Sequence, residues 1–161
     1  MSGRLRSMTS IYLTRGDKML LLFREGGRVV NHVYTGAAGG HFEKEELSDA
    51  RACVLREMRE ELGLTESDVG EITFRYITLR DTNGEIRQNY YFFAELREER
   101  ALASNEGTLR WVTMEEALTL PMPVTAKGVV THYVREGRFN DRRYVGITGK
   151  GGTVFTELLA T

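Results

Sequence analysis

The chain has 161 residues, a length served by one hydrophobic core of ordinary size. Its 22 Lys and Arg against 23 Asp and Glu, with no basic block, exclude the footprint of a duplex nucleic-acid binder and favour a free small molecule as partner. Cys53 is the single cysteine, so no internal disulfide is available; with no apolar run suited to a signal peptide or a membrane span, a soluble cytoplasmic protein is expected.

In chain order, Thr9 to Leu13 and Met19 to Phe23 read as strands joined by a tight turn at Arg15-Gly16-Asp17. Arg24 follows the second strand. Glu25 to Asn31 is a polar loop, and His32 to Thr35 reads as a short strand entering the small-residue loop Gly36 to Gly40. Little side chain stands on that loop, so it can approach a ligand closely.

A helix is predicted from about Asp49 to Leu62, with Ser48 or Asp49 as N-cap and Gly63 closing it. Ala50, Val54, Met58, Leu62 and Leu55 form its apolar stripe, and Glu57, Glu60 and Glu61 occupy the neighbouring arc. Like charges so placed repel, and a divalent cation held by oxygen ligands would relieve them.

Downstream, Ile72 to Leu79 and Ile86 to Glu95 form a hairpin across Asn83-Gly84, and Thr108 to Val112 is a further strand containing Trp111. Thr113 to Glu116 resembles a capping box opening a short helix to about Leu120, stopped by Pro121 and Pro123. Thr125 to Arg135 is a second full helix, and Tyr144 to Ile147 with Thr153 to Leu158 form a terminal hairpin. The order lacks regular βαβ alternation, which predicts an α+β fold with helices on a mixed or antiparallel sheet.

Gly40, Glu46 and the run Arg56-Glu57-Met58-Arg59-Glu60-Glu61-Leu62-Gly63-Leu64 together resemble the Nudix box, written G-x5-E-x7-R-E-U-x-E-E-x-G-U. The helix half matches at every fixed position. The spacer from Glu46 to Arg56 holds nine residues in place of the usual seven, with the two extra placed near Leu47 to Ala50. The resemblance implies one Nudix domain over 1–161, an α/β/α sandwich with a mixed sheet and helices on both faces.

For function, the resemblance implies a MutT-type hydrolase of nucleoside triphosphates, among them oxidised ones such as 8-oxo-dGTP. ADP-ribose or another nucleoside-diphosphate derivative is the alternative substrate, and a Nudix-fold binding module without catalysis the rival class. Mg²⁺, with Mn²⁺ as a substitute, would be held by Glu57, Glu60, Glu61 and the carbonyl of Gly39 or Gly40. Glu57 is the first candidate for the general base, although family members differ in this, and Glu95 is placed like a later acid that completes metal binding or base catalysis. Arg24, Gly39 and Gly40 are the expected substrate contacts, while Arg56 points away from the metal arc and orients the loop through Glu46 or Glu43. Thr125 and Lys127 are further candidates for substrate contact. The bland readings are a charged strand end for Glu95, loop hydrogen bonding for His32 and His41, a buried small hydrophobe for Cys53, and core packing for Trp111. Phe74, Tyr76, Tyr90 and Phe92 alternate along strands and could line a base-stacking pocket. The expected partner is a nucleotide or nucleoside-diphosphate derivative, with no nucleic acid or membrane, bound by a monomer or homodimer.

Overall fold

The computed structural model describes residues 3–27 and 31–161. Strands β1 (Arg4–Arg15) and β2 (Lys18–Arg24) form the first hairpin, followed by β3 (Tyr34–Gly36) and β4 (Ala38–His41). Helix α1 (Ala50–Leu62) precedes the hairpin of β5 (Thr73–Thr82) and β6 (Glu85–Glu95). Then come β7 (Gly107–Thr113), α2 (Met114–Ala117), α3 (Val124–Arg135) and the terminal hairpin of β8 (Tyr144–Gly149) and β9 (Gly152–Glu157).

Among the described residues these strands make one nine-stranded mixed sheet, ordered β3-β2-β1-β6-β5-β8-β9, with β4 paired to β1 and β7 to β2. The β1–β6 pair is parallel, in register from Arg4↔Glu85 to Thr14↔Glu95. Side chains alternate across a strand, so one sheet feeds two cores. Ile11, Leu13, Leu20, Phe92 and Ala94 pack with Val54 and Met58 of α1. Tyr12, Met19, Leu21, Tyr91 and Phe93 pack on the other face with Val129, Val130 and Tyr133 of α3. Helices therefore cover both faces, as the sandwich requires.

Local signals place most boundaries. Asp49 caps α1, its side chain accepting from the Ala52 N–H, and Gly63 ends it in the left-handed region. Asn83 and Gly84 both take positive φ in the β5–β6 turn, the backbone that a two-residue hairpin needs. Thr113 caps α2 by accepting from Glu116 N–H.

Two expectations change. The strand expected from His32 to Thr35 starts at Tyr34, because His32 has a φ of 57° and cannot extend the ladder. The small-residue segment expected as a loop contains β4, which pairs antiparallel with Met8 to Ile11. Arg28, Val29 and Val30, within the polar loop expected from Glu25 to Asn31, lie outside the described residues.

Candidate active site

The acidic arc forms where α1 lies against β4. Glu61 accepts a hydrogen bond from the Gly39 N–H at 2.9 Å. Gly40 faces Glu57 so closely that a Cβ there would meet the Glu57 Cδ at 2.6 Å. The glycine pair thus allows main chain and carboxylates to share one small space. Gly40→Ala should push Glu57 aside with the fold kept, so that any divalent cation held by the arc would bind roughly 10-fold or more weakly; unchanged affinity by titration would contradict that placement.

Arg56 organises the arc from behind. It grips Glu46 with two hydrogen bonds, Nε to Oε2 at 2.7 Å and Nη2 to Oε1 at 2.9 Å. Its Nη1 also reaches Glu57 and Glu60, each at 3.0 Å, and Glu43 at 3.5 Å. Nη2 donates to the His41 carbonyl. The expectation that Arg56 points away from the arc is therefore corrected: a guanidinium has five N–H donors and serves the loop and the arc at once.

The spacer is settled by the same contacts. Lys44–Glu46 forms a 3-10 turn in which Glu46 is 6% exposed, while Leu47 is 70% exposed. The extra residues thus bulge outward between Glu46 and the cap at Asp49. Hydrogen bonds from Arg56 hold the Glu46 carboxyl down at about 2.

The arc carboxylates shift the other way. Burial pushes Glu61 up to about 7, against the pull of the Gly39 N–H, with the charges of Glu106 and Glu57 adding to the rise. Burial likewise raises Glu57, opposed by Arg56. Among the described residues, no three His, Cys, Asp or Glu side chains are gathered closely enough to hold a metal ion as they stand. The hydrogen bonds show why: Glu57 and Glu60 are turned onto Arg56 while Glu61 is turned onto Gly39.

Arg24, at the end of β2, forms an ion pair with Glu106 at 2.8 Å. Register explains the meeting, since Arg24 pairs with Gly107 in the β2–β7 ladder. Glu106 was not singled out by sequence: it sits in a short polar run before a strand, and only the long-range pairing brings it to the arc. Glu95 is not brought there. It is opposite Thr14, on the strand face of Tyr91 and Phe93, whereas Gly39 is opposite Ser10. Four residues of strand separate the two positions, about 13 Å.

A cleft of about 260 Å³ opens beside Gly39 and Arg24 and runs over the face of β1, β6 and β5 beneath the start of α3. Ser10, Asn89 and Thr78 give it polar walls, and Tyr12 and Tyr91 lie at its floor. The Tyr12 hydroxyl is buried and has no hydrogen-bond partner among the described residues. Of the aromatic residues expected to line a pocket, Tyr76 is fully buried, and Phe74, Tyr90 and Phe92 line a separate hollow on the α1 side rather than this cleft. Thr125 lines the cleft, whereas Lys127 is occupied by the carbonyls of Leu118 and Leu120.

The family model described as NUDIX domain matches residues 4–133. The mutator MutT protein of Bacillus halodurans is similar at 26% identity with a TM-score of 0.64, covering 88% of each chain. A NUDIX hydrolase from Nitrosomonas europaea matches with a TM-score of 0.71 at 16% identity, covering 91% of this chain and 80% of that one. The E. coli dihydroneopterin triphosphate pyrophosphohydrolase matches at 0.63 and 14% identity, covering 81% of this chain and 94% of its own.

Proposed function

From a chain that belongs to the NUDIX domain family of pyrophosphohydrolases, we propose a Mg²⁺-dependent enzyme that cuts a nucleoside triphosphate, oxidised forms such as 8-oxo-dGTP included, to the monophosphate and pyrophosphate. The observation that carries this reading is the junction at Gly39, which touches Glu61 on one side and lines the nucleoside-sized cleft on the other.

The donor set suits a hard cation. Glu57, Glu60, Glu61 and the Gly40 carbonyl offer only oxygen, and a Cβ at Gly40 would fill the space beside Glu57. Mg²⁺, or Mn²⁺ in its place, would neutralise the anhydride oxygens there and lower the pKa of a water. To serve as ligands, Glu57 and Glu60 must exchange a hydrogen bond from Arg56.

The chain's own groups do the rest. Glu57 or Glu61, both raised toward neutrality by burial, takes the proton of the attacking water as the new P–O bond forms and the anhydride P–O bond breaks. Arg24 and the main chain at Gly39 and Gly40 hold phosphate oxygens, and Arg24 can turn to them by leaving Glu106. Glu106, rather than Glu95, stands where an additional acid can act. Asn89, whose amide offers both a donor and an acceptor, faces the nucleoside.

A nucleoside-diphosphate derivative such as ADP-ribose is the second reading, favoured by the extent of the cleft beyond Gly39. A panel of (d)NTPs, oxidised nucleotides, ADP-ribose and dinucleoside polyphosphates with Mg²⁺ tests both; cleavage of ADP-ribose without triphosphate turnover selects the second, and no turnover at all refutes both.

Cation binding must also drive a proton from Glu61, whose folded pKa of about 7 lies above its ordinary 4.5. The thermal shift produced by saturating Mg²⁺ at fixed concentration should therefore be larger at pH 8 than at pH 5.5. An equal shift at both values would remove Glu61 from the ligand set.

A further inference from the structure

Beyond the polar walls of the cleft, the sheet presents three arginines in one row. Arg6 of β1 is in register with Arg87 of β6, and Arg87 with Arg80 of β5. All three share the cleft face, because Arg6 alternates with Met8 and Ser10, Arg87 with Asn89 and Tyr91, and Arg80 with Thr78. Arg80 and Arg87 themselves line the cleft.

Like charges directly opposite one another on neighbouring strands are unfavourable. Among the described residues one carboxylate answers this row: Glu85, at 3.0 Å from Arg87 and 3.8 Å from Arg6. Arg6 turns its remaining donors to His41, whose pKa is lowered by burial and by Arg6 and Arg87. Arg80 is exposed, and its side chain has no hydrogen bond or ion pair among the described residues. Two unanswered positive charges thus stand at the end of a cleft whose other end meets the carboxylates. Four residues along β1 and one strand across separate Ser10, opposite Gly39, from Arg87, about 14 Å.

We propose that Arg80 and Arg87, with Arg6 beside them, form a second anion subsite that takes a phosphomonoester carried by the substrate away from its anhydride. This rests on the reading of the Gly39 end as the site of anhydride cleavage. A phosphomonoester is the matching class because it is dianionic near neutrality and offers three oxygens to paired guanidinium forks. The substrate is then a nucleotide anhydride with an additional phosphate on its ribose or on the attached group.

Matched compounds differing only in that phosphate test the subsite: NADPH against NADH, and coenzyme A against 3′-dephospho-coenzyme A. Binding is measured by calorimetry without metal and turnover with Mg²⁺, for wild type and for Arg80→Ala and Arg87→Ala. Wild type should favour the phosphorylated member of at least one pair by roughly tenfold or more, carried by KM rather than kcat, as charged hydrogen bonds present in the ground state would do. The preference should shrink toward unity in either variant and at high salt. Equal Kd for both members of each pair, binding of neither, or a preference that survives both substitutions overturns the proposal. Absence of all turnover with the binding preference intact would instead refute the cleavage reading and leave the anion subsite standing.

Discussion

Glu57→Gln should lower kcat with Mg²⁺ by about 10²-fold or more while the protein stays folded, because the amide keeps the shape and removes the charge needed both to hold a cation and to accept a proton. Glu61→Gln should do the same, with a second signature. An acid whose folded pKa is raised binds its proton more tightly folded than unfolded. Stability from that group is thus full below about 4.5, declines as pH rises toward 7, and stays lost above it. Glu61→Gln removes the buried charge, so the metal-free variant should melt at or above the wild-type temperature at pH 8 while being far less active. Circular dichroism melts and steady-state rates on the same samples decide this; full activity in either variant would end the case for a carboxylate arc.

Arg56→Ala should strongly destabilise the fold. The substitution strands the carboxylate of Glu46, a residue 6% exposed, without its two guanidinium bonds, and removes the counter-charge from Glu57 and Glu60. Losing one partner of such a pair costs about 3–5 kcal/mol, roughly 10 °C in melting temperature for a domain of this size. Arg56→Lys should recover only a small part, because an ammonium cannot fork onto both Glu46 oxygens. The sign with pH is opposite to that of Glu61. The folded pKa of Glu46 is depressed to about 2, so its contribution is present above about 4.5 and is lost as pH falls toward 2. The stability gap between wild type and Arg56→Ala should therefore close across that window. A constant gap from pH 6 to pH 2.5 would mean that Arg56 acts through packing alone.

Both experiments turn on one helix, and that helix is where sequence was most informative. Spacing put Glu57, Glu60 and Glu61 on one arc, an Asp and a Gly marked its ends, and the apolar stripe of Val54 and Met58 marked its buried side. Helices and two-residue turns are governed by interactions within a few residues, so residue order alone carries them. The same holds for the Asn83-Gly84 hairpin and the Thr113 cap.

The acid that joins the arc was not legible in that way. Glu95 ends an aromatic strand and reads as the natural later carboxylate, yet strand alternation and the β1–β6 register send it to the other face. Glu106 arrives through the β2–β7 ladder, which sets Gly107 opposite Arg24 across more than eighty positions of chain. The aromatic strands divided for a similar reason: alternation shows which residues share a face, but not which helix will cover it, and Phe74, Tyr90 and Phe92 line a separate hollow beside the start of α1. Tyr12 and Tyr91 reach the cleft floor because α3 starts over them, while Phe74 and Phe92 fall under the α1 side.

Sequence by itself therefore determined the helix, its caps, its acidic arc, the hairpins and, through the box, the family, since each depends on short-range geometry. Tertiary structure alone decided that Arg56 binds Glu46 and the arc together, that Glu106 pairs with Arg24 and adds its charge to the surroundings of Glu61, and that Arg6, Arg87 and Arg80 stand in one row. Those depend on the register between strands distant in the chain, which is fixed by two cores packing on a single sheet rather than by any local preference.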